Sequence, residues 1–229
     1  MTTIASNLQA VRAAVAIAAQ NSARDAGQVK LLAVSKTFPP DAIREAYQAG
    51  QHCFAENYLQ EALDKMVLLQ DLAIEWHFIG PIQSNKTRLI AEHFNWVHSV
   101  DRFKIAERLS AQRPAHLPPL NICLQVNISN EASKSGVPPG ELSGLAQAVA
   151  KLPGVTLRGL MAIPAPVDDA VLQRQSFARL RMLREDLVQQ GVCLDTLSMG
   201  MSGDFAAAIA EGATMIRVGS AIFGKRIYR

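Results

Sequence analysis

Short apolar runs alternate with amphipathic segments from one end of the chain to the other. The clearest run is Leu31-Leu32-Ala33-Val34-Ser35-Lys36-Thr37-Phe38-Pro39-Pro40, which ends abruptly on a lysine. An apolar run this short, closed by a charge and then prolines, reads as a fully buried strand of a parallel sheet. Pro39 and Pro40 cannot extend a ladder, so the chain turns there. Upstream, Ile4, Leu8, Val11, Val15 and Ala18 recur at spacings of four and three, the stripe of an amphipathic helix over about residues 3–25.

The alternation continues after the lysine. A helix is predicted over 41–49, with Asp41 as its cap and Gly50 as its stop. Strands are expected at 52–56, 74–80, 96–100, 122–128, 157–163, 196–201 and 215–219. Helices are expected at 58–70, 84–93, 103–112, 138–151, 171–190 and 205–211. The proline-rich stretch 114–119 leads directly into a strand and reads as a connection, not a domain linker. Eight short buried strands, each separated by a helical segment, require parallel crossovers throughout. Repeated eight times in 229 residues, this implies an α/β fold: a (β/α)8 barrel over residues 1–229, one domain with an extra N-terminal helix. An open doubly wound sheet is the alternative.

Composition narrows the classes. Hydrophobic residues make up 49% of the chain and charged residues 19%, with a net charge of +3. No basic block is dense enough for a nucleic-acid footprint, and no apolar run is long enough to span a membrane. Cys53, Cys123 and Cys193 are odd in number and form no C-x-x-C pair. Cys53 and Cys123 fall in apolar strands, which reads as buried thiols in a reducing cytoplasm. The five histidines show no metal-ligand spacing, and His77, between Trp76 and Phe78, reads as a buried, hydrogen-bonded ring. Gly219–Lys225 matches the start of a P-loop, but Arg226 stands where Ser or Thr is required.

In a barrel every strand opens on the same face, and active sites gather there. That face would carry Lys36, Glu56 and Asn57, Ile79 and Gly80 leading to Gln83, Ser99, Asn127, Ile163, the loop 200–203 and Gly219-Ser220. The two Gly/Ser turns after the seventh and eighth strands resemble the phosphate subsite of many barrels, where backbone N–H groups and a hydroxyl hold an anion. Ser202 as a plain helix cap and Gly219 as a plain turn residue remain the alternative. Lys36 and Arg217 fall on the first and eighth strands, which become neighbours on closure. A nearby permanent cation and desolvation favour a neutral, nucleophilic lysine. A structural partnership of Arg217 with Asp195 or Asp204 stays open. Lysine, phosphate cradle and arginine on one mouth fit pyridoxal 5′-phosphate (PLP) held as a Schiff base.

The runs Ala33–Thr37, Phe54–Tyr58, Trp76–Lys86, Asn127–Ser129, Lys134–Gly136, Gly159–Ile163, Ser198–Ser202 and Arg217–Gly224 together resemble the YggS/PROSC family of PLP homeostasis proteins. The resemblance spans nearly the whole chain. It implies a fold similar to the barrel domain of alanine racemase, PLP joined to Lys36, Asn57 near the ring, Arg217 at the ring nitrogen, and Ser202, Gly219 and Ser220 at the phosphate. It also implies a cytoplasmic, monomeric protein that binds and buffers PLP without robust turnover and passes it to apo-enzymes. Phe38 stands where that family commonly has a basic residue, Ala55 where glycine is common, and Gly203 where an acid is common.

Two enzyme readings stand beside the carrier. A racemase of similar fold uses a second, β-rich domain to supply an opposing base, and the sequence ends soon after the eighth strand. A Schiff-base aldolase would need an acid or base near Lys36, for which Glu56 is the candidate. Lys65 and Lys134, shared with the family, read as solvated charge, or else as lysines that help hand PLP on.

Overall fold

The computed structural model describes residues 3–129 and 135–224, so Lys134, Lys225 and Arg226 lie outside it. Eight parallel strands follow one another round a closed barrel: β1 (Lys30–Val34), β2 (Cys53–Glu56), β3 (Glu75–Phe78), β4 (Trp96–Val100), β5 (Leu120–Gln125), β6 (Val155–Met161), β7 (Thr196–Ser198) and β8 (Met215–Val218). Closure is made by β8 on β1, with Leu32 opposite Arg217 and Ala33 opposite Val218. The open-sheet alternative is thereby removed.

Parallel neighbours need crossovers. They are α2 (Pro40–Gln48), α3 (Leu59–Leu68), α4 (Thr87–His93), α5 (Phe103–Gln112), α6 (Leu142–Val149), α7 (Ala170–Gln189) and α8 (Phe205–Ala210). The helix α1 (Ile4–Asn21) precedes the barrel, and a single turn, α9 (Ser220–Phe223), follows it. Helix α1 starts on Thr3, whose side chain accepts from the Ser6 N–H, and buries Leu8, Val11, Val15 and Ala18 against its neighbours α2, α8 and α9. That is the stripe read from the sequence.

Alternation along each strand sorts side chains between two cores. Ala33 faces outward into the layer shared by strands and helices. Leu32 and Val34 face inward and pack with Ala55, Trp96, Cys123, Met161 and Met215. The barrel interior is therefore filled, not a pore. Its amino-terminal end is plugged by Trp96, with the His77 ring stacked at 5.6 Å and the Arg158 guanidinium 5.1 Å from the indole.

Several boundaries differ from the sequence reading. Strands β5, β6 and β7 stop at Gln125, Met161 and Ser198, short of the apolar residues that follow. Val126, Ile128 and Ala162 are buried all the same, because they continue the core between strands and helices. Asp41 does not cap α2. Pro39 holds the cap position with no side-chain bond, Pro40 starts the helix, and Asp41 sits in the first turn. The stretch 114–119 is pinned by Arg113, which donates to Pro118, Ala91 and Phe94 carbonyls. Cys53 is only half-buried and Cys193 is exposed, whereas Cys123 is buried; all three are free thiols. Among the described residues no helix is long and apolar enough to cross a membrane.

Candidate functional site

At the carboxyl-terminal mouth of the barrel lies a cavity of about 280 Å³. That is the small end of ligand pockets, suited to a single-ring molecule. Lys36, Asn57, Ser202, Arg217, Gly219 and Ser220 all line it, with Val34, Ile79, Ile163 and Met201 as the apolar wall. The six polar and glycine positions come from four separate places in the chain, and closure of the barrel gathers them.

Each is placed by its element. Lys36 lies two residues beyond β1, at the start of a turn closed by the Phe38 N–H on the Ser35 carbonyl (3.1 Å). Asn57 directly follows β2. Its backbone is approached closely by Gly80, where a Cβ would stand 2.0 Å from the Asn57 carbonyl oxygen. Ser202 and Ser220 sit on adjacent loops with their hydroxyl oxygens 3.4 Å apart. Gly219 lies against β1, where a Cβ would come within 3.1 Å of the Val34 carbonyl oxygen. The loop carrying Ser202 begins at Gly200, whose φ of +93° and close approach to Ala208 both demand glycine.

Arg217 is the buried charge of the site, only 3% exposed. Its guanidinium donates to the Ser198 hydroxyl (2.9 Å) and the Ala162 carbonyl (3.0 Å). Burial pulls its pKa down to about 10, which still leaves it charged at neutral pH. Neither aspartate considered as its partner hydrogen-bonds it, although the Asp204 charge acts on it through space. Asp195 pairs with Arg158 (2.5 Å), and Asp204 accepts from the Met201 N–H (2.5 Å). Behind Ser198 the bonds continue down the barrel axis through His98 (2.8 Å), His77 (2.9 Å) and Glu75 (2.7 Å). His77 is thus a buried, hydrogen-bonded ring, as its sequence context indicates.

Other residues expected on this face lie outside the cavity lining. The Ser99 hydroxyl donates to the Gly80 carbonyl (2.5 Å), and Gln83 is exposed. Asn127 does not line the cavity. Glu56 is wholly buried, and burial raises its pKa. Its Oε1 accepts from the Ser35 hydroxyl (2.7 Å) and from Lys65 Nζ (2.8 Å). Lys65 is not solvated: it is 4% exposed and also binds Glu61 (2.5 Å) and the Ser35 carbonyl (2.8 Å). Sequence reading missed this lysine because its Glu56 partner lies on a strand. The i,i+4 Glu61–Lys65 spacing was the available hint. His98 and Ser198 were missed likewise, since their partners are distant in the chain.

The donors suit a phosphorylated aldehyde. A primary amine lines one wall, and a permanently charged, donor-only guanidinium lies at the strand end beside it. The two adjacent loops add the Ser202 and Ser220 hydroxyls and the backbone N–H groups of Ser202, Gly203 and Ser220, which have no acceptor among the described hydrogen bonds. That is a donor set matched to an oxyanion.

A family model described as "Alanine racemase, N-terminal domain" matches residues 6–226. The chain belongs to this family of barrels. Within it, the chain is similar to pyridoxal phosphate homeostasis proteins. The one from Pseudomonas aeruginosa is 62% identical over 228 residues, covering 100% of this chain and 98% of that one. The one from Escherichia coli K12 is 53% identical over 231 residues, covering 100% and 99%. The solved structure of PipY from Synechococcus elongatus, with PLP bound, superposes with a TM-score of 0.85 at 41% identity, covering 97% of this chain and 100% of that one. Alanine racemase from Corynebacterium glutamicum shares the fold alone, with a TM-score of 0.67 at 18% identity over 62% of its length.

Proposed function

We propose that this protein binds PLP at the barrel mouth and serves in intracellular PLP homeostasis, holding the cofactor and releasing it to apo-enzymes. The observation that carries the reading is the convergence of Lys36, Arg217 and the Ser202/Ser220 pair on one cavity. It is supported by the PLP-bound structure of PipY. PLP supplies an aldehyde that condenses reversibly with a primary amine. Lys36 provides that amine. Arg217 donates toward the ring nitrogen and, at a pKa of about 10, gives up no proton to it. Asn57 borders the ring. Ser202, Gly219 and Ser220 hold the phosphate, and residues 1–229 act as one PLP-binding unit.

Storage rather than turnover is favoured by the cavity wall. Among the described residues that line it, Lys36 is the only acid–base side chain apart from the Arg217 guanidinium. A racemase needs two such groups on opposite faces. Glu56, the candidate base for an aldolase, already holds Lys65 and Ser35. Three free cysteines fit a reducing cytoplasm.

The test is the visible spectrum of the purified, PLP-treated protein before and after borohydride, with peptide mapping of the reduced adduct. A yellow band reduced onto Lys36, and lost in Lys36→Ala, is expected. A protein that refuses PLP, or one labelled fully in Lys36→Ala, overturns the assignment. Sustained racemisation of amino acids by the loaded protein would replace storage with catalysis.

A further inference from the structure

Lys36 leaves β1 through a turn whose flanking residues are tied to one buried charge cluster. Ser35, just before it, is fully buried. Its carbonyl accepts from Lys65 Nζ (2.8 Å), and its hydroxyl donates to Glu56 (2.7 Å). Thr37, just after it, donates its N–H to Glu61 Oε1 at 2.6 Å. That same oxygen accepts from Lys65 Nζ at 2.5 Å. One ammonium, nearly sealed from solvent, therefore links both sides of the Lys36 backbone to β2 through Glu56 and to α3 through Glu61.

The turn needs this support. Thr37 has φ of +69°, a left-handed conformation. A β-branched residue there is strained and persists only where its surroundings over-determine it. A lysine side chain is long and flexible, so its amine reaches a reacting centre reliably only when its backbone is fixed.

We propose that Lys65, acting through Glu61 and Glu56, is the positioning residue of Lys36, clamping the 35–37 turn in the backbone geometry that places Lys36 on the cavity wall. The inference rests on the reading of Lys36 as the PLP-bearing amine. It also assigns Lys65 a fixed internal role in place of a part in handing PLP to other proteins.

The experiment uses the full-length protein and PLP. Glu61→Ala removes the acceptor of the Thr37 N–H at a partly exposed position. Two quantities are read: amide exchange at residue 37 in the cofactor-free protein, and the rate of covalent PLP uptake onto Lys36. Glu61→Ala is expected to speed the exchange and to slow uptake by about tenfold or more. Adding Thr37→Gly, which adopts positive φ without strain, is expected to restore most of the uptake rate. A purely stabilising cluster would not give that rescue. Uptake at the wild-type rate in Glu61→Ala, or a slowed rate that Thr37→Gly leaves in place, overturns the proposal. If the wild-type protein itself takes up no PLP on Lys36, the functional reading fails, whatever the exchange shows.

Discussion

His77 Nδ1 and His98 Nε2 face each other across the barrel core at 2.9 Å. The direction of this bond follows from the far end of the chain it belongs to. The Glu75 carboxylate only accepts, so His77 donates to it from Nε2 and, as a neutral ring, accepts at Nδ1 from His98 Nε2. The neutral His98 then accepts at Nδ1 from the Ser198 hydroxyl, which itself accepts from Arg217. Every bond runs the same way, from the candidate site to the opposite mouth, and it does so with both imidazoles neutral. Burial acts in the same direction, lowering the pKa of both rings from 6.5. Glu75, held down to about 2 chiefly by its bond to His77, terminates the chain as an anion paired with Lys30 (2.9 Å).

This arrangement sets a pH dependence. Above the unfolded histidine value near 6.5, neither state binds a proton at these rings. Below it, the unfolded chain takes up protons that the folded core refuses, so stability falls as pH falls. The slope contributed is up to about 1.4 kcal/mol per pH unit for each ring. Glu56, whose pKa is raised, opposes the trend lower in the carboxylate range. A His98→Gln variant therefore isolates the effect. Its urea-unfolding free energy between pH 7.5 and 5.5 is expected to decline less steeply than wild type, by close to one proton's slope. Parallel curves would show that His98 is charged in the fold.

Gly80 controls where Asn57 sits. A Cβ there would lie 2.0 Å from the Asn57 carbonyl oxygen, a backbone atom that no rotamer change can move. Gly80→Ala should cost about 3 kcal/mol or more and displace Asn57 from the cavity, weakening PLP binding. Gly144→Ala on α6, where the added methyl meets nothing within 4 Å, is the control. It is expected to bind PLP normally and to gain up to about 1 kcal/mol from helix propensity. Equal stability of the two variants would contradict the close approach.

The barrel was legible because each strand is a short apolar run ended by a charge, a glycine or a proline, and each helix carries a stripe at 3.6-residue spacing. Strand β4 at Trp96–Val100 and helix α5 at Phe103–Gln112 fall where the pattern places them. The six cavity residues were legible for a topological reason: a (β/α)8 chain brings every strand end to one face. What stayed hidden was pairing between side chains. Lys65 looks like any helical lysine until Glu56, nine residues earlier on a strand, is seen to be buried against it. Arg217 looks in need of an aspartate, yet it is satisfied by a hydroxyl and a carbonyl. Partners across a closed barrel leave no periodic trace.

Lys65 and Glu56 form a buried ion pair at 2.8 Å. Removing one partner strands the other. Lys65→Met should destabilise by about 3–5 kcal/mol, while the double variant Glu56→Gln/Lys65→Met should recover most of that loss. The Lys65→Met penalty should also shrink as pH is lowered, because an unpaired Glu56 can take up a proton, a sense already visible in its raised pKa. Urea titrations at pH 7.5 and 5.5 read both effects. A double variant as unstable as the single one would mean that packing, not charge, sets the cost.

The two hydroxyls at the candidate phosphate subsite make the sharpest separation between ligands. Ser202 and Ser220 are 3.4 Å apart, on loops that follow adjacent strands. If both donate to a phosphate, each bond to that charged group contributes about 1.5–3 kcal/mol, or roughly tenfold or more in affinity. Ser202→Ala and Ser220→Ala should each weaken PLP binding by that factor. The double variant should weaken it by more than either, falling short of the product only as far as one hydroxyl orients the other. Pyridoxal, which has the same ring and aldehyde without the phosphate, should bind wild type and double variant alike. Titration of the Lys36 adduct with both ligands reads the difference. If the double variant lost both ligands equally, the serines would shape the cavity without holding the phosphate. If it lost neither, the anion would be held by the backbone N–H groups of the two loops alone.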